Sequence, residues 1–573
     1  MLAARTSYLD RFVVVLLLIT LTAALGSAVD PWPRDGWYQT LYFLFGSFPL
    51  QDDYTPIAAP AVLYWLVHRL AVASHLDLAG EFYLASLVQN ALVFLSACFV
   101  YFAGRLLGTG RIAGFVAVGF LLLVLSTGLP QAFWSENVAL FLMALVLLTA
   151  VMLLRHAGDT NLGFWCLTVL CSLSIAALVV TRMTPIILIP GLALLFFRRL
   201  PVQSAAVFTL VAAITTALVI FGTASANHQR FGRYEITNSS GRHLWQGVKF
   251  LSDRALANSA QYQALKKRDA DIQGKDWWNL PIGDEEGNTD QQDALLKKLA
   301  KEAISNEPVA YLRLGLRNFA TTIGAMPYRL GYGAREGHWN PLDRETPLPA
   351  LLESRLSMGP VARLVAIALK KIHRVAIWVY PLTIFAILVS YAAMIIDRVN
   401  RPFAGRAYSK PRALFLGGIP LSLLAVSCLG LSLDALVAGA LCLLLLTAFC
   451  RLLGQSSAEQ ATNGNIRPSR PRTDFALYSF FALAFFGSLW FSWQVEVKNS
   501  RNALPYLPFW AAMLGLASSY WTAQSKTSRS QRTPGVPTAG FNSPSTRSNR
   551  ISLPWKRRNN NSRSDAHSIG PRT

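Results

Sequence analysis

Long uncharged apolar runs recur along this chain and limit its fold more than any other feature. A bilayer core needs roughly 20 apolar residues per helix, and the sequence offers about a dozen such runs, bounded by Arg, Lys, Asp or Pro. With 53% hydrophobic and 15% charged residues, the chain is too apolar for a soluble protein. We predict an all-α polytopic membrane protein with about 12 transmembrane helices, within a range of about 11 to 13. The predicted spans are 12–29, 82–104, 112–127, 138–154, 164–180, 185–197, 203–222, 375–396, 413–431, 436–450, 476–493 and 503–521.

The distribution of Lys and Arg among the short loops predicts which side each loop faces. Both termini are expected in the cytoplasm of a cell whose plasma (inner) membrane holds the chain. We divide the chain into an N-terminal transmembrane core (1–222) with an active-site loop (30–81), an extracytoplasmic cap (223–374), C-terminal transmembrane helices (375–521) and a disordered basic cytoplasmic tail (522–573). The alternative for the first span is a cleaved signal peptide, since basic residues precede an apolar run that ends in small residues.

The formal net charge of +22 does not point to nucleic acid. Much of it lies in the Ser-, Asn-, Pro- and Arg-rich tail, which cannot bury enough apolar surface to fold and suits anionic lipid instead. All six cysteines fall inside apolar runs, so neither a disulfide framework nor a metal cluster is predicted.

The loop that follows the first span carries acids among aromatics and prolines, just outside the bilayer. Asp35, Asp52 and Asp53 are proton-transfer groups where a lipid head group would lie. We expect interfacial helices at 36–45 and again after Pro56. Two interpretations remain open here, an active-site loop and a polar connector.

This loop resembles the first outer loop of the C-type (GT-C) membrane glycosyltransferases. The resemblance rests on an acid and a tyrosine soon after the first span, a later Gly, and the element PAVLYWL that begins at Pro60. The protein O-mannosyltransferases and the lipid A aminoarabinose transferases are the most similar in pattern. Three further segments fit: LPQAFWSENVALFLMALVLL with Glu136 as the second acidic position, SNEPVAYLRLGLRNF with Asn306 as a helix N-cap before Pro308, and KNSRNALPYLPFWAAML.

The chain also departs from the pattern of these families. Tyr38 stands one place early, and Ala58 and Ala59 replace a Glu-Lys pair of the aminoarabinose transferases. Asn502 follows Arg501 where Tyr is common. These departures bear on the identity of the substrate more than on the class of enzyme.

The resemblance implies transfer of a sugar, with inversion, from a polyprenyl-phosphate donor to a protein, lipid or glycan acceptor. Such a reaction needs a base for the acceptor's proton and cations for the leaving phosphate. We predict Asp35 as the base and Glu136 as a second catalytic acid. A divalent cation is an optional cofactor, and no metal ligands are assigned. The residues predicted to bind substrate are Arg34, Tyr38, Asp53, Arg182, Arg242 and Arg501.

Each of these residues also has a structural interpretation. Asp35 suits a helix cap, Asp53 suits a turn, and Glu136 complements a helix dipole. Arg182 lies in an outer turn, where it either binds phosphate or snorkels to the interface.

The long outer segment is expected to form a helical cap over the catalytic cavity. A helix is predicted from Thr289 to about residue 305, a short strand at 234–236 and a turn at 238–241. The side chains weighed as acceptor or sugar contacts are His243, Trp245, His338 and Trp339.

Two other classes of function remain beside the glycosyltransferase. A polytopic transporter or lipid flippase would show internal repeats and ionisable residues in mid-membrane. A non-catalytic assembly protein would tolerate the loss of Asp35. The expected partners are the lipid-linked donor, its acceptor and membrane lipids, with no nucleic acid.

Overall fold

The computed structural model consists of helices and short connections in the part of the chain that it describes. That part comprises residues 11–19, 22, 58–128, 135–155, 161–182, 184–231, 234–236, 240–268, 289–322, 360–400, 475–482, 484–485 and 504–532. Within these ranges there is no β-strand. The predicted strand at 234–236 is therefore wrong. Those residues are held instead by Asn227, whose side-chain amide donates to the carbonyls of Glu235 (2.8 Å) and Ile236 (3.2 Å).

Fifteen helices, numbered here among the described residues, carry most of the structure. Their bounds are α1 Ala58–Ala73, α2 Leu78–Leu106, α3 Ile112–Ser126, α4 Ser135–Arg155, α5 Leu162–Thr181, α6 Leu188–Arg199, α7 Val202–Phe231, α8 Ser240–Val248, α9 Ser252–Ala255, α10 Ala260–Arg268, α11 Thr289–Asn306, α12 Pro308–Thr322, α13 Pro360–Asn400, α14 Phe475–Ala482 and α15 Leu507–Arg532. Residues 11–19 are also helical.

Five of the described helices are long and apolar enough to cross a membrane, which makes the chain an integral membrane protein. These five segments are Leu84–Leu106, Ser135–Arg155, Leu162–Thr181, Val202–Gln229 and Ile367–Tyr391, and Ile112–Ser126 is a shorter apolar helix. The total of about 12 spans stays a prediction, because the predicted spans 413–431 and 436–450 lie outside the described residues.

The predicted span 185–197 differs in form from the other described spans. It consists of a 3-10 turn, Thr184–Ile187, followed by the 12-residue α6. Together these rise about 26 Å, which falls short of the bilayer core. Pro185 in the first turn accounts for the tighter start, because proline fixes φ and lacks an N–H.

Two helices run past their predicted ends. α7 has 30 residues, so the boundary placed at 222 falls inside it, and the helix measures about 45 Å against a bilayer core of about 30 Å. α15 continues to Arg532, well beyond residue 521, into the segment predicted to be disordered. The sequence continues with Thr533 and Pro534, and the residue before a proline disfavours helical backbone.

The membrane helices pack around one apolar core in which α2, α4, α5 and α7 are neighbours in turn. Aliphatic and aromatic side chains fill it, including Ala139, Met143 and Leu147 of α4 and Phe120 of α3, all fully buried. Arg155 at the end of α4 donates to the carbonyl of Leu106 at the end of α2. The two helices are therefore parallel, and their first residues lie at the same side, called the outer side below after the predicted orientation.

The described residues of 240–268 and 289–322 form a second apolar cluster, called the cap below; its place over a catalytic cavity stays a prediction. The buried side chains of α8, α9, α10 and α11 include Trp245, Leu256, Tyr262 and Leu299. α11 runs from Thr289 to Asn306 and so confirms the predicted helix. The prediction that Asn306 is the N-cap of the next helix is wrong, because the break between α11 and α12 falls one residue later. Asn306 instead ends α11 and donates its side-chain amide to the carbonyl of Ala255 (2.8 Å).

Polar contacts join the short helices of the cap. The Tyr262 hydroxyl contacts Ser252 Oγ (2.8 Å) and donates to Asp253 (2.7 Å), and Lys266 Nζ donates to the same carboxylate (2.7 Å). That hydrogen bond raises the pKa of Lys266. The N-terminus of α8 is closed by Asp293 of α11, whose carboxylate accepts from the backbone N–H groups of Gly241 and Arg242, both at 2.9 Å.

Candidate functional site

Two residues predicted separately from the sequence form an ion pair at the outer side. Glu136 is the second residue of α4, and Arg182 follows directly on α5. Arg182 Nη2 donates to Glu136 Oε1 at 2.5 Å, and the side chains are only 10% and 3% exposed. Arg182 therefore does not snorkel to an exposed surface. Its guanidinium is held inward by a buried carboxylate, an arrangement that requires close pairing to offset the loss of hydration.

The local backbone explains how the pair is aimed. Glu136 sits in the first turn of α4, where its charge also complements the helix dipole. Ser135 Oγ donates to Glu136 Oε2 at 3.3 Å and orients the carboxylate. At Arg182 the chain leaves the helix in an extended conformation, and its N–H donates to the carbonyl of Leu178 (2.7 Å). The side chain can then turn from α5 toward α4.

A third, distant segment joins the same turn. Thr184 Oγ1 and Tyr506 Oη lie 2.5 Å apart, and both residues are buried. Tyr506 stands between Pro505 and Pro508 in the segment LPYLPF, just before α15. The outer polar cluster, defined here as Glu136, Arg182, Thr184 and Tyr506, therefore brings together α4, α5 and the start of α15. Two of the segments that carry the family resemblance meet in it.

An amide pair lies directly beneath this cluster. Asn137, next to Glu136, donates its side-chain amide to Gln89 Oε1 of α2, and both residues are fully buried. Two amides facing each other in an apolar core fix the register of α2 against α4. Sequence reasoning missed both residues, although the signal was an amide inside the predicted span 82–104 and another directly before the span 138–154.

A histidine of α1 pairs with a carboxylate of α2. His68 Nδ1 of α1 lies 3.1 and 3.2 Å from the two oxygens of Glu81, in the first turn of α2. Glu81 is buried, and the His68 side chain is 18% exposed. Eight residues separate Glu81 from Gln89, so the pair lies about 12 Å farther out along α2 than the amide pair.

The turn between α1 and α2 contains a backbone conformation that residues other than glycine seldom adopt. His75 has φ of +53°, in the left-handed region, which non-glycine residues visit at a cost. Asp77 then caps α2 by accepting from the N–H of Gly80 at 2.8 Å. Neither His68 nor Glu81 was predicted, and the available signal was an acid at the very start of a predicted span.

Two other predicted residues, Arg242 and Trp245, lie in the cap, and both are buried. Arg242 is 1% exposed, and its backbone N–H binds Asp293. Trp245 is 0% exposed and packs against Tyr262, with ring centroids 6.2 Å apart. The prediction that Trp245 contacts a sugar is wrong for this structure, because its ring is enclosed in the apolar cluster of the cap.

Most of the predicted active-site loop lies outside the described residues. This applies to Arg34, Asp35, Tyr38 and Asp53, whose roles stay predictions. Outside the loop, Arg501, His338 and Trp339 also lie beyond the described residues, and their roles stay predictions too. Among the described residues, no group of three or more His, Cys, Asp or Glu is placed to hold a metal ion. The predicted helix at 36–45 is likewise outside, while the one expected after Pro56 is α1.

Comparison with known proteins gives little beyond this geometry. No protein-family model and no curated protein matches the chain. Three structures of the Archaeoglobus fulgidus oligosaccharyltransferase do match: one tethered to an acceptor peptide (12% identity, TM-score 0.37), one of AglB with an inhibitory peptide and a dolichol-phosphate (12%, 0.38) and an apo form (13%, 0.38). Each match covers 91% of this chain and 51% of the other, so this chain spans about half the length of those proteins. Similarity at this level establishes neither a family nor an activity.

Proposed function

We propose that this chain is an integral membrane glycosyltransferase. It moves a sugar from a polyprenyl-phosphate donor to a protein, lipid or glycan acceptor on the non-cytoplasmic face. The observation that carries the proposal is the buried Glu136–Arg182 pair at the outer side, which the Thr184–Tyr506 contact joins to the start of α15. Segments that resemble one enzyme family at separate places in the sequence thus converge on one place in the fold.

Sugar transfer needs three things at such a place. A base takes the proton of the acceptor hydroxyl or amine while the new bond to the anomeric carbon forms. The bond from that carbon to the phosphate oxygen breaks, and its electron pair leaves with the phosphate. A cation beside that oxygen stabilises the charge that develops there. Asp35 is proposed as the base, and the family resemblance implies inversion at the anomeric carbon.

Arg182 is the described residue that we propose as the cation for the leaving phosphate. Its guanidinium has five N–H donors in a fixed fork, a geometry that suits both a carboxylate such as Glu136 and a phosphate oxygen. Glu136 then positions Arg182 and balances its charge when no donor is bound. Arg34 and Arg501 are proposed as further phosphate ligands, and Tyr38 and Asp53 as sugar contacts. Arg242 is 1% exposed and enclosed in the cap, so it is less accessible than Arg182, whose side chain is 10% exposed.

The experiment is a transfer assay on the full-length protein in proteoliposomes. The donors are polyprenyl-phosphate sugars labelled in the sugar, and the measured product is label on acceptors extracted from membranes. Asp35→Asn is expected to lower transfer by about 100-fold or more, the usual contribution of a general base. Asp77→Asn is the matched control, since it removes a carboxylate from the same outer region while Asn caps α2 equally well. Normal transfer by Asp35→Asn would refute the role of this base.

Arg182 needs a separate variant because it is buried. The double variant Glu136→Gln with Arg182→Gln removes both charges together, which buried pairs tolerate far better than the loss of one. If Arg182 binds the leaving phosphate, this protein inserts and folds but transfers no sugar. Full transfer by the double variant would reduce the pair to a structural contact. A transporter, in contrast, would show substrate flux that survives Asp35→Asn.

A further inference from the structure

The basic segment near the start of α13 is not used by the proposed function. Lys370, Lys371 and Arg374 lie within about one and a half turns of this helix, and all three are exposed. The neighbouring residues on the other face, Leu369 and His373, are buried against the protein. The three cations therefore stand on the face of α13 that is turned away from the helical core.

Two hydrogen bonds show which side of the membrane domain this segment occupies. Trp510 Nε1 donates to Thr383 Oγ1 (3.1 Å), and farther along both helices Trp521 Nε1 donates to Ser390 Oγ (2.8 Å). α15 and α13 therefore run side by side in the same direction. Because α15 starts next to the Tyr506–Thr184 contact, the start of α13 lies at the outer side, with the Glu136–Arg182 pair.

The depth of the cations follows from the length of uncharged helix beyond them. Residues 375–396 carry no charge, and these 22 positions span about 33 Å, close to the thickness of a bilayer core. Asp397 and Arg398 then follow at the other boundary. By hydropathy alone the span would begin at Ile367, but that start places three cations in hydrocarbon. The charge-free segment is the better fit, so Arg374 marks the level of the outer phosphates.

The exposed face around the cations has the chemistry of a lipid. Trp378 is 77% exposed and sits four residues below Arg374, about 6 Å deeper, where indole rings favour the head-group layer. Leu382, 66% exposed, continues the same face one turn farther in. Acyl chains match these apolar side chains, and a phosphate matches the three cations above them.

We propose that Lys370, Lys371 and Arg374 form a binding site for the head group of an anionic phospholipid in the outer leaflet. Charge complementarity and the depth of the segment both specify this ligand. The predicted orientation strengthens the inference, because Lys and Arg are depleted on the outer side of most membrane proteins. The positive charge of this exposed cluster attracts an anionic head group. Each cation near an anionic surface contributes about a fivefold preference, so three give a preference on the order of 100-fold.

The test uses native mass spectrometry of the full-length protein purified in detergent and titrated with phosphatidylglycerol or phosphatidylcholine. Wild-type protein is expected to retain phosphatidylglycerol on the order of 100-fold more strongly. The triple variant K370Q/K371Q/R374Q should lose most of this preference, and K370R/K371R/R374K should keep it. The matched control, K267Q/K298Q/K301Q, removes the same charge from exposed positions in the cap and should behave as wild type.

Several results would overturn the proposal. The wild type could show no preference between the two lipids, or the K370Q/K371Q/R374Q variant could retain it. An equal loss in the cap control would trace the effect to net charge alone. Displacement of phosphatidylglycerol by low concentrations of polyprenyl phosphate would assign the site to the isoprenoid lipid instead. The charge-preserving variant keeps the test decisive if the neutral variant fails to fold, since it must then bind like wild type.

Discussion

The Glu136–Arg182 pair allows a quantitative test, because its two charges should contribute to stability only together. The variants are Glu136→Gln, Arg182→Gln and the double Gln variant. Gln is close in size to Glu and keeps hydrogen-bonding capacity, so these changes act mainly on charge. The two side chains lie 2.5 Å apart and are 3% and 10% exposed, which places them in a poorly hydrated environment.

The expected magnitudes follow from that burial. At 2.5 Å and an effective dielectric constant of about 20, the gross attraction is about 7 kcal/mol, and it offsets the desolvation of both ions. Removing one partner leaves the other charge without its counter-ion and costs about 3–5 kcal/mol. Two independent losses would sum to about 6–10 kcal/mol. The double variant should instead lose no more than about 2 kcal/mol, because no charge then remains to be desolvated.

The assay is thermal unfolding of the full-length protein in detergent, followed by the loss of monodisperse protein in size-exclusion chromatography. At about 2 °C per kcal/mol for a large chain, each single variant should melt about 6–10 °C below wild type. The double variant should melt within about 4 °C of wild type. Arg254→Gln provides the comparison, since Arg254 pairs with Glu307 at 2.7 Å but is 80% exposed. Its melting temperature should hardly change.

One pattern of results would refute this reasoning. If the double variant is destabilised by the sum of the two single effects, the two charges act independently, and the structural pairing is not an energetic one. Equal, small effects for all three variants would mean that water reaches the pair. Either result would also weaken the proposed role of Glu136 as the residue that positions Arg182.

Three further predictions concern other contacts in the described structure. Gly241→Ala should destabilise the cap by about 3 kcal/mol or more, because a Cβ there would stand 2.0 Å from the carbonyl oxygen of Asp293. The measurement is faster proteolysis within residues 240–322. The control is Gly119→Ala, which should be neutral or stabilising because a Cβ there would meet nothing within 4 Å. Tyr506→Phe should lower stability by about 1–3 kcal/mol, because it leaves the buried Thr184 hydroxyl without this hydrogen bond. Adding Thr184→Val should restore most of the lost stability. A double variant as unstable as Tyr506→Phe would contradict this account. His68→Ala should lower the melting temperature by about 2–6 °C through the loss of a buried carboxylate's hydrogen bond, and an unchanged value would show that the α1–α2 turn holds without it.

Helix positions were predictable because the signal for them is local. The uncharged runs at 112–127, 138–154 and 164–180 each correspond to a helix whose ends differ by only a few residues. The cap helix from Thr289 was equally readable from the spacing of its apolar residues. The errors fall at helix ends, as in α7 and α15, where polar residues continue a helix that hydropathy alone terminates.

The candidate site was predictable only in part. Glu136 and Arg182 were each selected from their position in an outer turn, but nothing in the sequence indicated that they touch. His68, Glu81 and Tyr506 were missed, because each gains its meaning from a partner. For Tyr506 that partner is Thr184, 322 residues away.

The sequence by itself determined that this chain crosses a membrane, where most of its described membrane helices begin to within a few residues, and which residue types stand near the outer boundary. The exception is α13, which begins at Pro360 rather than at residue 375. These properties depend on the free energy of transferring a short segment from water to hydrocarbon, and the residues of that segment determine it. Tertiary structure alone decided that Glu136 meets Arg182, that Thr184 meets Tyr506 and that Trp245 is enclosed. Such pairings depend on how helices pack against each other, and the free energy of a buried contact arises only when both partners leave water together.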